Sequence, residues 1–178
     1  MKHEPPLARR TFLVGAAAGG AVVAGGLAWR ALNPPPPPLS PAAQAFWARS
    51  FPALDGSDLA VKRWQGQRLL VNFWATWCPP CVKELPEINQ FYKEAQGQGW
   101  QVLALAIDQA EPVKAFLQKT PLDFTVALAG PQGLGLVREL GNPAGGLPFS
   151  IAFDAHGELS WRRLGVTTLK ELRELAKT

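Results

Sequence analysis

The 178-residue sequence is poor in the residues that usually build metal sites: it has two cysteines, two histidines and one methionine, Met1. Structural zinc takes four ligands, commonly Cys or His. Only His3, near the N-terminus, and His156, in an expected turn, could join the cysteines. No metal site is expected. Basic stripes are also missing. Of the net charge of +4, three units lie in the first 32 residues, from Lys2, Arg9, Arg10 and Arg30 against Glu4; the remainder holds 14 Lys/Arg against 13 Asp/Glu. A nearly neutral domain lacks the cationic face that phosphate binding requires, so nucleic acid is not an expected partner. The sequence has no internal repeats and no evident dimerisation segment, and a monomer is expected. No cysteine lies near the N-terminus, which excludes lipidation there.

What is present is concentrated. Both cysteines fall in Trp77-Cys78-Pro79-Pro80-Cys81, directly after the apolar run Leu69-Leu70-Val71-Asn72-Phe73-Trp74-Ala75. A buried strand feeding this pair puts the thiols at a strand end, opening a helix. There the helix dipole and unpaired backbone N–H groups favour a thiolate, the form that attacks disulfides. A purely structural disulfide gains little from so short a loop. The pair therefore reads as a redox-active dithiol, with no cofactor beyond the Cys78–Cys81 disulfide itself.

The N-terminal 32 residues read as an export signal or membrane anchor. Arg9-Arg10-Thr11-Phe12-Leu13 opens an uncharged stretch from Phe12 to Trp29 in which 11 of 18 residues are Gly or Ala. This pattern is similar to a twin-arginine signal, and an ordinary anchor with basic residues on its cytoplasmic side fits the same residues. Gly26-Leu27-Ala28 offers small residues for a signal peptidase, but there is no clean Ala-x-Ala, so cleavage stays open. Either outcome places the domain outside the cytoplasm, in a bacterial periplasm. Residues 33–45 read as a Pro-rich linker, in which Pro34 to Pro38 form a stiff spacer of about 15 Å at ~3.1 Å per residue.

From Phe46 to Thr178 the signals alternate. Strands are expected over 59–64, 69–74, 100–107, 124–128, 148–153 and 159–164, the last two as a hairpin around Ala155-His156-Gly157-Glu158. Helices are expected from Cys78 to about Gln96, over 111–119, over 134–140, and from Thr168, where Thr-x-x-Glu with Glu171 forms a capping box. In the first of these, Leu85, Ile88 and Phe91 are expected to face inward and Glu84, Glu87 and Glu94 outward, and Gly97 and Gly99 stop it. The order defines an α/β domain with a central mixed sheet flanked by helices.

Phe73-Trp74-Ala75-Thr76-Trp77-Cys78-Pro79-Pro80-Cys81 resembles the thioredoxin superfamily, most closely its bacterial TlpA/ResA/DsbE-like thiol–disulfide oxidoreductases. The resemblance covers about Phe46 to Thr178. It implies a thioredoxin-like fold with an N-terminal hairpin and a helix–strand insertion between Trp100 and Leu140. Cys78 is then the exposed nucleophile and Cys81 the resolving thiol. Pro79 suits the first helical turn and, with Trp77, flanks the substrate. Pro86 matches a kinking proline of the family. Pro148 matches its cis-proline, and Leu147 would offer its backbone to a bound peptide. Phe149 departs from the threonine that many relatives carry. Glu84 matches an acidic residue of this branch with a suggested role in proton exchange with the thiols; a solvated helix carboxylate fits the position equally. Asn72 stands where ordinary thioredoxins bury an aspartate, and an amide cannot accept the Cys81 proton.

The resemblance implies protein dithiol and disulfide substrates and a membrane thiol reductase as electron donor, with the inner membrane as a further partner if the N-terminal segment is uncleaved. A reductant of apocytochrome c or copper-site proteins is the leading reading. A disulfide oxidase and a Cu(I)-binding module without turnover are the alternatives.

Overall fold

The computed structural model describes residues 29, 30, 32 and 37–178. Most of the expected export segment, and Pro34 to Pro36 of the expected spacer, lie outside the described residues. Among the described residues no helix is long and apolar enough to cross a membrane. The chain divides into two units, Met1–Pro38 and Leu39–Thr178. Of the first, Trp29, Arg30 and Leu32 are helical and exposed.

The second unit opens earlier than its composition suggests. Helix α1, Pro41–Trp47, takes in residues assigned above to the linker. Ser40 caps it, its hydroxyl accepting from the Ala43 N–H, and Pro41 fills the first turn, where its missing N–H costs nothing. Phe46 stacks on Phe153 at 4.8 Å between ring centroids, and the Trp47 indole N–H donates to the Gly157 carbonyl at 2.7 Å. Burial of two such aromatics, each on the order of 2–3 kcal/mol, offsets the entropy lost in ordering the helix.

A two-stranded antiparallel hairpin follows, β1 (Ser50–Pro52) and β2 (Asp58–Ala60). The strand expected over 59–64 stops at Ala60, because Val61–Trp64 turns into a 3-10 helix. Val61 and Trp64, three apart, are both buried, a spacing that suits a turn of three residues and not a pleat.

The main sheet has five strands in the order β5-β4-β3-β6-β7. These are β3 (Arg68–Trp74), β4 (Trp100–Ala106), β5 (Thr125–Leu128), β6 (Phe149–Phe153) and β7 (Leu159–Leu164). β3, β4 and β5 run parallel, while β6 is antiparallel to β3 and β7 to β6. The helices are α2 (Pro79–Ala95), α3 (Ala110–Lys119), α4 (Gly133–Glu139) and α5 (Leu169–Ala176). Thr168 and Glu171 form the expected capping box, and Gly99 ends the turn after α2 with φ +84°.

Alternation along β3 divides the core. Leu69, Val71 and Phe73 join the cluster formed with α1, the hairpin and α4. Leu70 and Trp74 join the opposite cluster with Leu85, Ile88 and Phe91 of α2 and Leu172 of α5. Asn72 lies on that second face between Leu70 and Trp74, so the pleat turns its side chain towards α2.

Candidate active site at the mouth of helix α2

The parallel β3 and β4 end side by side, with Trp74 opposite Ala106, and the antiparallel β6 begins at the same end, with Phe149 opposite Phe73. The loop leaving β3 is tied to the loop leaving β4. Thr76 donates its N–H and its hydroxyl to one oxygen of Asp108, at 3.0 and 2.6 Å, and the Cys78 N–H donates to the Ala75 carbonyl at 3.2 Å. This loop presents Trp77, 62 % exposed, beside Cys78.

Cys78 is the N-cap of α2, with Pro79 and Pro80 in the first turn. Its Sγ accepts the Cys81 N–H at 3.3 Å, and the two sulfurs are joined in a disulfide with Cα atoms 5.3 Å apart. Cys81 is fully buried, whereas Cys78 keeps 5 % of its surface open. Pro79 is exposed next to it, and Pro86 lies on the exposed side of α2, which runs on through it.

The Leu147–Pro148 peptide is cis. The Pro148 carbonyl accepts the Gly165 N–H at 3.0 Å, and half-buried Leu147 packs against the cluster that holds both cysteines. The fold thus brings Trp77, Cys78, Pro79, Leu147 and Pro148 to one end of the sheet.

Glu84 is not outward. It is 1 % exposed, three residues beyond Cys81 on the same side of α2. One carboxyl oxygen accepts the Asn72 side-chain amide at 2.7 Å, and the other accepts the Thr167 N–H at 2.6 Å. The Asn72 amide also donates to the Ser150 hydroxyl at 2.9 Å, which lies 3.2 Å from the Thr167 hydroxyl. Burial pushes the Glu84 carboxyl up to about 7, against the pull of the two donated hydrogen bonds. The Asn72 carbonyl oxygen accepts no hydrogen bond among the described residues. The expectation of a solvated carboxylate fails because Asn72 and Thr167 supply donors that no helical pattern reveals. Ser150, Thr167 and Asp108 carry no motif in the sequence: Ser150 lies within the apolar strand β6, Asp108 just past β4 and Thr167 in the loop after β7.

A dithiol at the mouth of a helix, set against a cis-proline in a mixed α/β sheet, defines a thioredoxin-like thiol–disulfide exchange site. The Redoxin family model matches residues 39–177, and the chain belongs to that family. It is 33% identical over 121 residues to the thiol-disulfide oxidoreductase ResA of Bacillus cereus, covering 67% of each chain. It is 26% identical over 125 residues to the sporulation thiol-disulfide oxidoreductase A of Bacillus subtilis, covering 68% of this chain and 73% of that one. Among solved structures, a thiol:disulfide interchange protein of the thioredoxin family from Chlorobium tepidum aligns with a TM-score of 0.64 at 27% identity, covering 72% of this chain and 90% of that one. The chain is a thiol–disulfide oxidoreductase of the ResA/DsbE-like branch of the thioredoxin superfamily.

Proposed function

We propose that the chain is a periplasmic reductant of protein disulfides in which Cys78 is the attacking thiol. The observation that carries the assignment is the asymmetry of the pair. Cys78 caps α2, receives the Cys81 N–H and keeps an open edge beside Trp77 and the cis-proline, while Cys81 is sealed. A thiolate on Cys78 gains from the helix dipole and from that N–H.

In the forward direction the Cys78 thiolate attacks one sulfur of the substrate disulfide, breaking it and releasing the other sulfur as a thiolate that takes up a proton. The Cys81 thiolate then attacks Cys78, forming the intramolecular disulfide and freeing the second substrate thiol. Two electrons pass from the enzyme to the substrate. Cys81 must lose its proton for the second step. Glu84, one helical turn away and held near neutrality, is the group proposed to exchange it. Leu147 offers backbone hydrogen bonds to an extended substrate, and Trp77 and Pro79 border it.

The export-type N-terminus supports a position outside the cytoplasm. In that space the pair stays reduced only if electrons are resupplied, and a membrane thiol reductase is the donor proposed. The substrates proposed are Cys-x-x-Cys disulfides of apocytochrome c before haem attachment and disulfides of copper-site proteins before loading. The test is to mix the reduced protein with an oxidised Cys-x-x-Cys-His peptide, quench with a thiol-alkylating reagent and count the alkylated thiols on each partner by mass. Net reduction of the peptide is expected; a mixture in which the enzyme stays reduced and the peptide oxidised contradicts the reading.

A further inference from the structure

The loop that delivers Pro148 is held from inside by one amide. Asn142 is 2 % exposed, and its side-chain nitrogen donates to the Gly146 carbonyl at 2.8 Å. A carbonyl can only accept, so the amide nitrogen must be the atom that faces it. The backbone of Asn142 is fixed in turn. Its N–H donates to Val137 of α4 at 3.1 Å, and its carbonyl accepts the Gly145 N–H at 2.9 Å. Gly145 turns with φ +67°, and a Cβ there would lie 3.2 Å from the Arg138 guanidinium, so the chain is steered to Gly146 along one course.

Within a trans peptide the C=O and the following N–H point in opposite directions in one plane. The Gly146–Leu147 peptide is trans, the cis bond being the next one. With the Gly146 oxygen turned in to Asn142, the Leu147 N–H is turned away from it. That N–H makes no hydrogen bond within the described residues, and neither does the Leu147 carbonyl. We infer that Asn142 is a positioning residue: by holding the Gly146 carbonyl it keeps the Leu147 N–H outward, free to donate to a backbone carbonyl of a peptide disulfide docked beside Cys78. This rests on the docking role proposed for Leu147 above. The substrates it favours are extended polypeptide disulfides, as against small disulfides that carry no amide.

The test compares two substrates on the full chain and on the Asn142→Asp and Asn142→Ala variants. One is a short peptide closed by a Cys-Ala-Ala-Cys disulfide; the other is hydroxyethyl disulfide, which has no backbone to pair. Aspartate keeps the size of asparagine but has no N–H to donate. For both variants kcat/KM for the peptide should fall roughly three- to tenfold, the worth of one hydrogen bond, with the loss in KM. The rate with hydroxyethyl disulfide should not change. Equal losses with both substrates, or a peptide preference that survives in Asn142→Asp, overturn the role of Asn142 while leaving Leu147 docking intact. A wild-type protein with no preference for the peptide overturns the docking reading, and this inference with it. A second measurement needs no change at Asn142. In Cys81→Ser, the Leu147 amide should exchange freely with solvent and become protected in the mixed disulfide with the peptide; protection before the peptide is added contradicts the inference.

Discussion

At the scale of single residues, the chemistry rests on two environments three residues apart. Cys78 lies where a helix begins, with an edge open to solvent, and Cys81 one turn inside it and fully buried; the proposed order of attack, Cys78 first, rests on that difference. Cys81→Ser should therefore accumulate mixed disulfides with peptide substrates through Cys78, whereas Cys78→Ser should accumulate none. Non-reducing mass spectrometry reads this directly, and equal trapping by both variants would refute the order of attack. Glu84 carries a second prediction. Its carboxyl holds a proton in the folded state up to about 7, against 4.5 as the ordinary value. Between those values the unfolded chain has released the proton and the folded chain has not. Its contribution to stability is therefore full below pH 4.5 and lost as pH rises through about 7. The total is on the order of 3 kcal/mol. Glu84→Gln, uncharged throughout, should flatten that decline, seen as a urea midpoint that no longer falls across the window. A wild-type midpoint that rises from pH 4.5 to 7 contradicts the assignment.

At the scale of elements, what could be read from the sequence depended on whether the signal was local. Strand β3 announces itself as a run of apolar residues, and Thr168 with Glu171 announces the start of α5, because strand burial and capping boxes depend on near neighbours. The cis peptide before Pro148 was reached only through the family resemblance. Glu84 was misplaced for a physical reason. Cys81, Leu85 and Ile88 define the buried stripe of α2 by spacing, and Glu84 falls inside that stripe; its chemistry argued for solvent while its position argued for the core. The donors that settle the matter come from β3 and from the loop after β7, far away in sequence. Helix α1 was hidden by the prolines before it, although Ser40-Pro41 is a capping signal and Phe46-Trp47 its apolar end. The helix acts as a lid on the core face opposite α2, seated on Phe153. Phe46→Ala should cost about 3–5 kcal/mol by chemical denaturation. A loss below about 1 kcal/mol would mean that α1 contributes little to the fold.

At the scale of the whole molecule, one arrangement of strands creates the site. Parallel β3 and β4 finish together and antiparallel β6 starts beside them, so a strand-to-helix loop, the Asp108 clamp and the cis-proline loop converge without any long excursion of the chain. Sites at the carboxyl ends of parallel strands are a general consequence of such sheets. The two edges of the sheet are guarded differently. β5 is bridged by Ala53 of the segment after β1, and the free strand β7 carries Arg162 and Arg163, charges that discourage pairing with another sheet.

The geometry serves thiol–disulfide exchange in either direction, and the reduction potential of the Cys78–Cys81 pair decides which way electrons run. It is measured by equilibrating the protein in thiol buffers and following the fluorescence of Trp74 and Trp77. A reductant should show a value at or below about −220 mV, towards that of thioredoxin. A value near −120 mV, that of a strong oxidant, would contradict the proposed reductant role and make the protein a donor of disulfides.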